Sequence, residues 1–153
     1  MFAARSSGGN WDAADEERSL AVLCQLLLSE IGAVTSPEQH RGLLVAVGRR
    51  MAASSKLADV SHLDNLAEHA NRLWQSLNWG SAGFEMDDEG IDIVHRDLPV
   101  ASNEHLANWE DILPAILEGA YSEWFEQIGG SAGTLHTRIT RQVPGEVEIR
   151  HGL

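Results

Sequence analysis

The chain has 153 residues, 43% of them hydrophobic, which suffices for one domain with a substantial core. Its formal net charge of −12 repels phosphate backbones and anionic lipids, so nucleic-acid and membrane-surface partners are disfavoured. No apolar run reaches the length of a membrane span, and the first residues lack the apolar segment of a signal peptide. We therefore expect a cytoplasmic protein without a membrane span, a periplasmic location being the alternative. The single cysteine, Cys24, is expected to be an inert core thiol.

Residues 1–11 form a Gly/Ser-rich lead-in, which we interpret as a flexible segment before a single α+β domain at residues 12–153. Trp11 belongs to no apolar stripe in this segment. An exposed aromatic ring of this kind is suited to stack on a sugar ring or to dock into a neighbouring protomer.

The first predicted helix carries apolar residues three and four positions apart, begins after the capping residue Asp12 and ends at Gly32. Val22 and Leu26 widen this apolar stripe, which predicts burial on two sides, either within the fold or between protomers. The stripe consists of Leu20, Leu23, Cys24, Leu27, Leu28 and Ile31.

Three further helices are predicted along the chain. Ser36 and Pro37 begin the second, because serine caps helices and proline suits their first position. The third ends at Asn78-Trp79-Gly80, where a glycine in the left-handed conformation closes it. The fourth has the longest apolar stripe and contains Pro114, so it either begins near Asp111 or bends at the proline.

Alternating apolar and polar residues predict two β-hairpins. The first contains an acidic turn at residues 87–90, and the second turns at Pro144-Gly145. The element order is three helices, a hairpin, a long helix and a second hairpin. Because no βαβ unit is present, this order predicts an α+β fold in which the hairpins form one antiparallel four-stranded sheet.

The chemistry-bearing residues do not form a catalytic constellation. His95 and Asp97 lie on one strand face and have the spacing of a base and its orienting group, but no serine or cysteine nucleophile motif accompanies them. The acidic turn fails as an EF-hand, because Arg96 would occupy the position that requires a bidentate glutamate. We predict no catalytic residue, no metal site and no cofactor; His95 is interpreted as a structural residue whose tautomer Asp97 helps to hold.

Three strings in the C-terminal half carry a family resemblance. They are NWG at residues 78–80, IVHRDLP at residues 93–99 and LEGAYSEW at residues 117–124. Their order and spacing resemble the family of bacterial cellulose synthase D subunits, and the helices before them match in length and pattern. The residues that carry the resemblance, which we interpret as structural, are Asn78, Trp79, Gly80, His95, Asp97, Pro99, Glu118, Gly119, Tyr121 and Trp124.

The resemblance implies a non-enzymatic accessory protein of cellulose synthesis and secretion. Members of the family assemble through dimers into a ring-shaped octamer whose N-terminal segments face its interior. They promote ordered crystalline cellulose by organising synthase complexes or by guiding glucan chains. The implied partners are further copies of the chain, other synthase subunits near the inner membrane and the nascent glucan. We assign Val22 and Leu26 to the oligomer interface, and Arg5, Asn10 and Trp11 to glucan or lumen contact.

Two other functions remain open at this point. The same layout of helices and hairpins occurs in small ligand-binding domains of the vinyl-reductase type, which act in trafficking or as sensors. That similarity concerns layout alone, and the cysteine ligands of some such domains are missing after the last helix. An acidic sugar-cleaving enzyme is the third hypothesis, since carboxylates are abundant.

Overall fold

A computed structural model describes residues 12–55, 57, 62–100, 109–129 and 134–153. The chain divides into two compact units, Met1–Ser36 and Pro37–Leu153, which we describe separately. The helices are α1 (Ala13–Val34), α2 (Pro37–Ser54), α3 (Leu63–Ser76) and α4 (Trp109–Gly129). The strands are β1 (Ser81–Met86), β2 (Gly90–Arg96), β3 (His136–Val143) and β4 (Glu146–Gly152). The predicted α+β fold and element order are confirmed, whereas a single domain at residues 12–153 stays a prediction.

The helix of the first unit, α1, buries none of its apolar residues. Asp12 caps it as predicted, because its carboxylate accepts a hydrogen bond from the backbone N–H of Asp15 at 2.8 Å. The helix continues past Gly32 to Val34, so the predicted end at Gly32 is wrong. Cys24 is exposed, which contradicts the expected core thiol.

The second unit is built around one antiparallel sheet with strand order β1-β2-β4-β3. Ile93 and His95 on β2 lie opposite Ile149 and Val147 on β4, and all four side chains are buried on the face that packs against the core. The outward face carries ion pairs between neighbouring strands, including Arg150 with Asp92 at 2.8 Å. One polar face and one apolar face therefore explain the alternation seen in the sequence.

The end of α3 uses two residues in the left-handed backbone conformation. Asn78 has φ 55°, and the backbone N–H of Trp79 reaches back to the carbonyl of Trp74 at 2.8 Å, which closes the helix. Asn78 is thus the closing residue, and the prediction of a glycine in that place is wrong. Gly80, with φ 71°, has another purpose: a Cβ there would lie 1.9 Å from the carbonyl oxygen of Arg96. Only glycine lets this loop lie directly against the end of β2.

Helices α2 and α4 pack at backbone contact through two glycines. A Cβ on Gly48 would lie 1.9 Å from the carbonyl oxygen of Ile116, and one on Gly119 would lie 2.0 Å from that of Val45. Beside this contact, the guanidinium of Arg49 donates to both carboxylate oxygens of Glu126 at 3.0 Å. The absence of side chains at Gly48 and Gly119 allows the two backbones to touch, and the Arg49–Glu126 ion pair lies beside this contact.

Helix α4 begins at Trp109, two residues before Asp111, and Pro114 lies inside it. Because proline has no N–H, the carbonyl of Glu110 four residues earlier lacks its helical partner. The side-chain amide of Gln142 donates to this carbonyl at 2.5 Å. Gln142 faces α4 because a β-bulge between Ile139 and Arg141 shifts the alternation of β3 by one residue. The bulge thus directs a donor to the acceptor that the proline leaves free.

Candidate functional site

The three strings that resemble the family meet in one cluster of rings in the core. We call it the aromatic cluster and define it as Trp74, Trp79, Phe84, His95, Tyr121 and Trp124. Trp79 stacks on Trp74 with ring centroids 6.0 Å apart, and Trp124 meets Trp74 edge-on at 5.5 Å. Helix α3, the loop after it, strands β1 and β2, and helix α4 each contribute a ring. The cluster therefore ties distant parts of the second unit together.

A chain of hydrogen bonds runs through the cluster, and its direction can be derived from donor chemistry. The carbonyl of Trp79 can only accept, so Nε2 of His95, 2.6 Å away, carries the proton. In a neutral ring Nδ1 is then an acceptor, and it receives the hydroxyl proton of Tyr121 at 2.8 Å. The Tyr121 oxygen in turn accepts from the indole N–H of Trp74 at 3.0 Å. Both ring nitrogens of His95 are thus satisfied by a single tautomer.

His95 is fully buried, and its surroundings favour the neutral imidazole. Burial lowers the pKa of its imidazole to about 4, although the hydrogen bond to Trp79 acts in the opposite direction. Burial likewise raises the pKa of the Tyr121 phenol above its usual range. Tyr121 and Trp79 hold the His95 tautomer, so the prediction that Asp97 helps to hold it is wrong. Asp97 is exposed and lies in a left-handed backbone conformation with φ 59°.

The low pKa of His95 predicts acid sensitivity. Between the ordinary pKa near 6.5 and the folded value of about 4, the unfolded chain binds a proton that the folded chain does not. The free energy of unfolding should therefore fall as the pH drops through this range, by about 3 kcal/mol from His95 alone. Urea unfolding at a series of pH values from 7 to 4 measures this slope.

His95→Gln separates this effect from the titration of carboxylates. Glutamine retains part of the hydrogen bonding but has no titrating group, so the variant should be less stable at pH 7 with a flatter slope. His95→Ala should be less stable still, because both partners lose their bonds. The matched control is His62→Gln, the same substitution at an exposed histidine. A wild-type slope in His95→Gln would contradict the neutral, buried histidine.

Two other residues of the three strings, Glu118 and Pro99, lie next to contacts between elements of the second unit. The carboxylate of Glu118 forms an ion pair with Arg41 of α2. Burial raises the Glu118 pKa, and the neighbouring Arg41 opposes that rise. Pro99 follows Leu98, whose backbone N–H bonds to the carbonyl of Gly145 at 3.1 Å and joins the end of β2 to the second hairpin turn.

Sequence reasoning missed Asn71, which covers part of the free edge of the sheet. Its side-chain oxygen accepts from the backbone N–H of Ala82 at 2.6 Å, and its amide donates to the carbonyl of the same residue at 2.9 Å. One side chain thereby imitates a neighbouring strand at one position of β1. No local motif predicts this contact, because Asn71 lies on α3 and its partner Ala82 lies on β1.

The second candidate surface is the exposed apolar side of α1. Val22 is 51% exposed and Leu26 is 60% exposed, and Leu20, Leu23 and Leu27 are more than half exposed as well. Exposed large apolar residues concentrated in this way are typical of surfaces at which proteins associate. Arg5, Asn10 and Trp11 lie outside the described residues.

The described part of the chain offers neither a metal centre nor a membrane span. Among these residues, no three His, Cys, Asp or Glu side chains are grouped so that they could hold a metal ion. None of the described helices combines the length and apolar character needed to cross a bilayer.

The chain was compared with curated proteins and with models of protein families. No curated protein matches the chain. The family model that describes the D subunit of cellulose synthase matches residues 12–152, which covers nearly all of the sequence. The match includes α1 as well as the three strings of the aromatic cluster. The chain belongs to the family of cellulose synthase D subunits, and its role lies in cellulose synthesis.

Proposed function

We propose that the protein is a non-catalytic accessory subunit that assembles into a closed ring and helps cellulose to form in an ordered, crystalline state. The ring organises synthase complexes or guides glucan chains, and its partners are copies of itself and other synthase subunits. Arg5, Asn10 and Trp11 are the proposed glucan or lumen contacts. The observation that carries the proposal is α1, a helix of 22 residues with no buried residue and a broad apolar surface.

The energetics of α1 support self-association. Burying one leucine-sized side chain contributes about 1.5–3 kcal/mol, so several of them supply enough free energy to oppose the entropic cost of association. The net charge of −12 works against non-specific association, because like-charged surfaces repel. A specific apolar interface on an acidic protein therefore favours a defined oligomer over an open aggregate.

The aromatic cluster supports the non-catalytic part of the proposal. The polar atoms of His95 and Tyr121 are occupied by protein partners and shielded from solvent. A general base needs an accessible lone pair within hydrogen-bond reach of its substrate, and His95 offers none. Among the hypotheses from the sequence, the family match favours the accessory subunit over a vinyl-reductase-type module or a sugar-cleaving enzyme.

Light scattering of the purified protein tests the assembly. We expect a defined oligomer several times heavier than the 16.7 kDa chain. Leu26→Glu should split it, because a charge at an exposed apolar position opposes burial in an interface without removing any core contact. The matched control is Ser29→Glu, which adds the same charge at an exposed polar position of the same helix.

Circular dichroism separates assembly from folding in these variants. Leu26→Glu should keep the helical signal and the unfolding midpoint of the second unit while its mass falls. In cells that produce cellulose, crystalline order should decline with the amount of assembled protein. A monomeric wild-type protein would overturn the ring, and global unfolding of Leu26→Glu would place Leu26 in a core rather than at an interface.

A further inference from the structure

The exposed face of α1 has a heptad pattern with an acidic interruption towards each end. Leu20, Leu23, Leu27 and Val34 are spaced by three, four and seven residues, as along the seam of a coiled coil, and each is exposed. Glu16 and Glu30 fall on the same seam, four residues before Leu20 and three residues after Leu27. We call these six residues the α1 seam.

We propose that the α1 seam pairs in antiparallel orientation with the α1 seam of a second copy, with Leu23 opposite Leu27. This inference rests on the proposed self-assembly and names its partner and geometry. In this register Leu20 lies opposite Glu30, and Glu16 lies opposite Val34 of the other copy. No glutamate then faces a glutamate, and the central layers of the seam contain leucine alone.

Electrostatics select this orientation over a parallel one. In a parallel, in-register pair each glutamate of the seam would face the same glutamate of the other copy. The neighbouring layers are apolar, so the repulsion between the two like charges would be costly. The acidic first turns, with Asp15 and Glu16, would also lie side by side. Antiparallel pairing places these turns at opposite ends and aligns the helix dipoles favourably.

Disulfide trapping distinguishes the two orientations. Two chains are prepared in a Cys24→Ser background, one with Leu20→Cys and the other with Glu30→Cys, and one of them carries a longer tag. In the antiparallel register the two thiols meet only in the mixture, so oxidation should yield a cross-linked heterodimer on a non-reducing gel. Two copies of Leu20→Cys should not cross-link, because their Cα atoms are separated by roughly 15 Å along the helix axis, beyond the reach of a disulfide.

Each outcome decides the proposal. Homodimers of Leu20→Cys without the heterodimer would show parallel pairing and overturn it. An oligomer that cross-links in neither combination would overturn pairing through α1 and leave the ring intact as a proposal. A monomer in light scattering before oxidation would overturn both. Ser29→Cys, on the polar side of α1, is the control that should give no cross-link within the pair.

Discussion

Trp124→Ala should lower the free energy of unfolding by about 3–5 kcal/mol, because it removes a large, fully buried ring from the aromatic cluster. A loss of this size approaches the whole stability of a typical domain of about 5–15 kcal/mol. We expect little soluble protein, and a strongly reduced unfolding midpoint in whatever is recovered. Chemical denaturation monitored by tryptophan fluorescence measures the change.

The variants Trp124→Phe and Trp74→Phe separate the loss of packing from the loss of a hydrogen bond. The indole nitrogen of Trp124 is buried and has no hydrogen-bond partner among the described residues, whereas that of Trp74 donates to Tyr121. Trp124→Phe should therefore lose packing alone, and Trp74→Phe should lose packing together with the bond that completes the hydrogen-bond chain. If Trp124→Ala folded normally and lost only glucan binding, the assignment of this ring to the core would be wrong.

Gly119→Ala should destabilise the protein although alanine is the better helix former. Its new methyl group would lie 2.0 Å from the carbonyl oxygen of Val45, so the backbones of α2 and α4 must separate. Because a backbone atom cannot rotate away as a side chain can, we expect a cost at or above the usual overpacking range of about 1–3 kcal/mol. Urea unfolding gives the value.

Gly42→Ala is the matched control for this contact. Gly42 lies on α2, and a Cβ there would meet no atom within 4 Å. The same substitution should then raise stability by up to about 1 kcal/mol through helix propensity. Equal effects of the two variants would show that α2 and α4 do not rely on direct backbone contact.

The residues of the aromatic cluster could be recognised from the sequence, but the contacts between them could not. The three strings that contain Trp79, His95 and Tyr121 were identified from the sequence, because all three carry the family resemblance. Their contacts were not predictable, since the acidic residue nearest to His95 in the sequence, Asp97, lies just after the strand and is not its partner. The actual partners come from a helix 26 residues later and a loop 16 residues earlier. The residues that contact His95 are therefore determined by tertiary packing and not by proximity in the sequence.

Elements whose causes are local could be predicted from the sequence. Pro37 begins α2, Gly145 forms the second hairpin turn with φ 79°, and alternating residues produce the strands of the two hairpins. These features follow from the backbone preferences of single residues and from side-chain periodicity, which act before any tertiary contact forms.

Features that depend on partners distant in sequence arise only when the chain packs. The role of Gly80 depends on the approach of Arg96, and the side chain of Gln142 finds its acceptor only where Pro114 leaves the carbonyl of Glu110 free. The apolar stripe of α1 is wide, as its pattern indicates, but the pattern does not reveal that no residue of the stripe is buried. The apolar periodicity predicts which residues share a helix face, whereas their burial depends on whether other parts of the structure pack against that face.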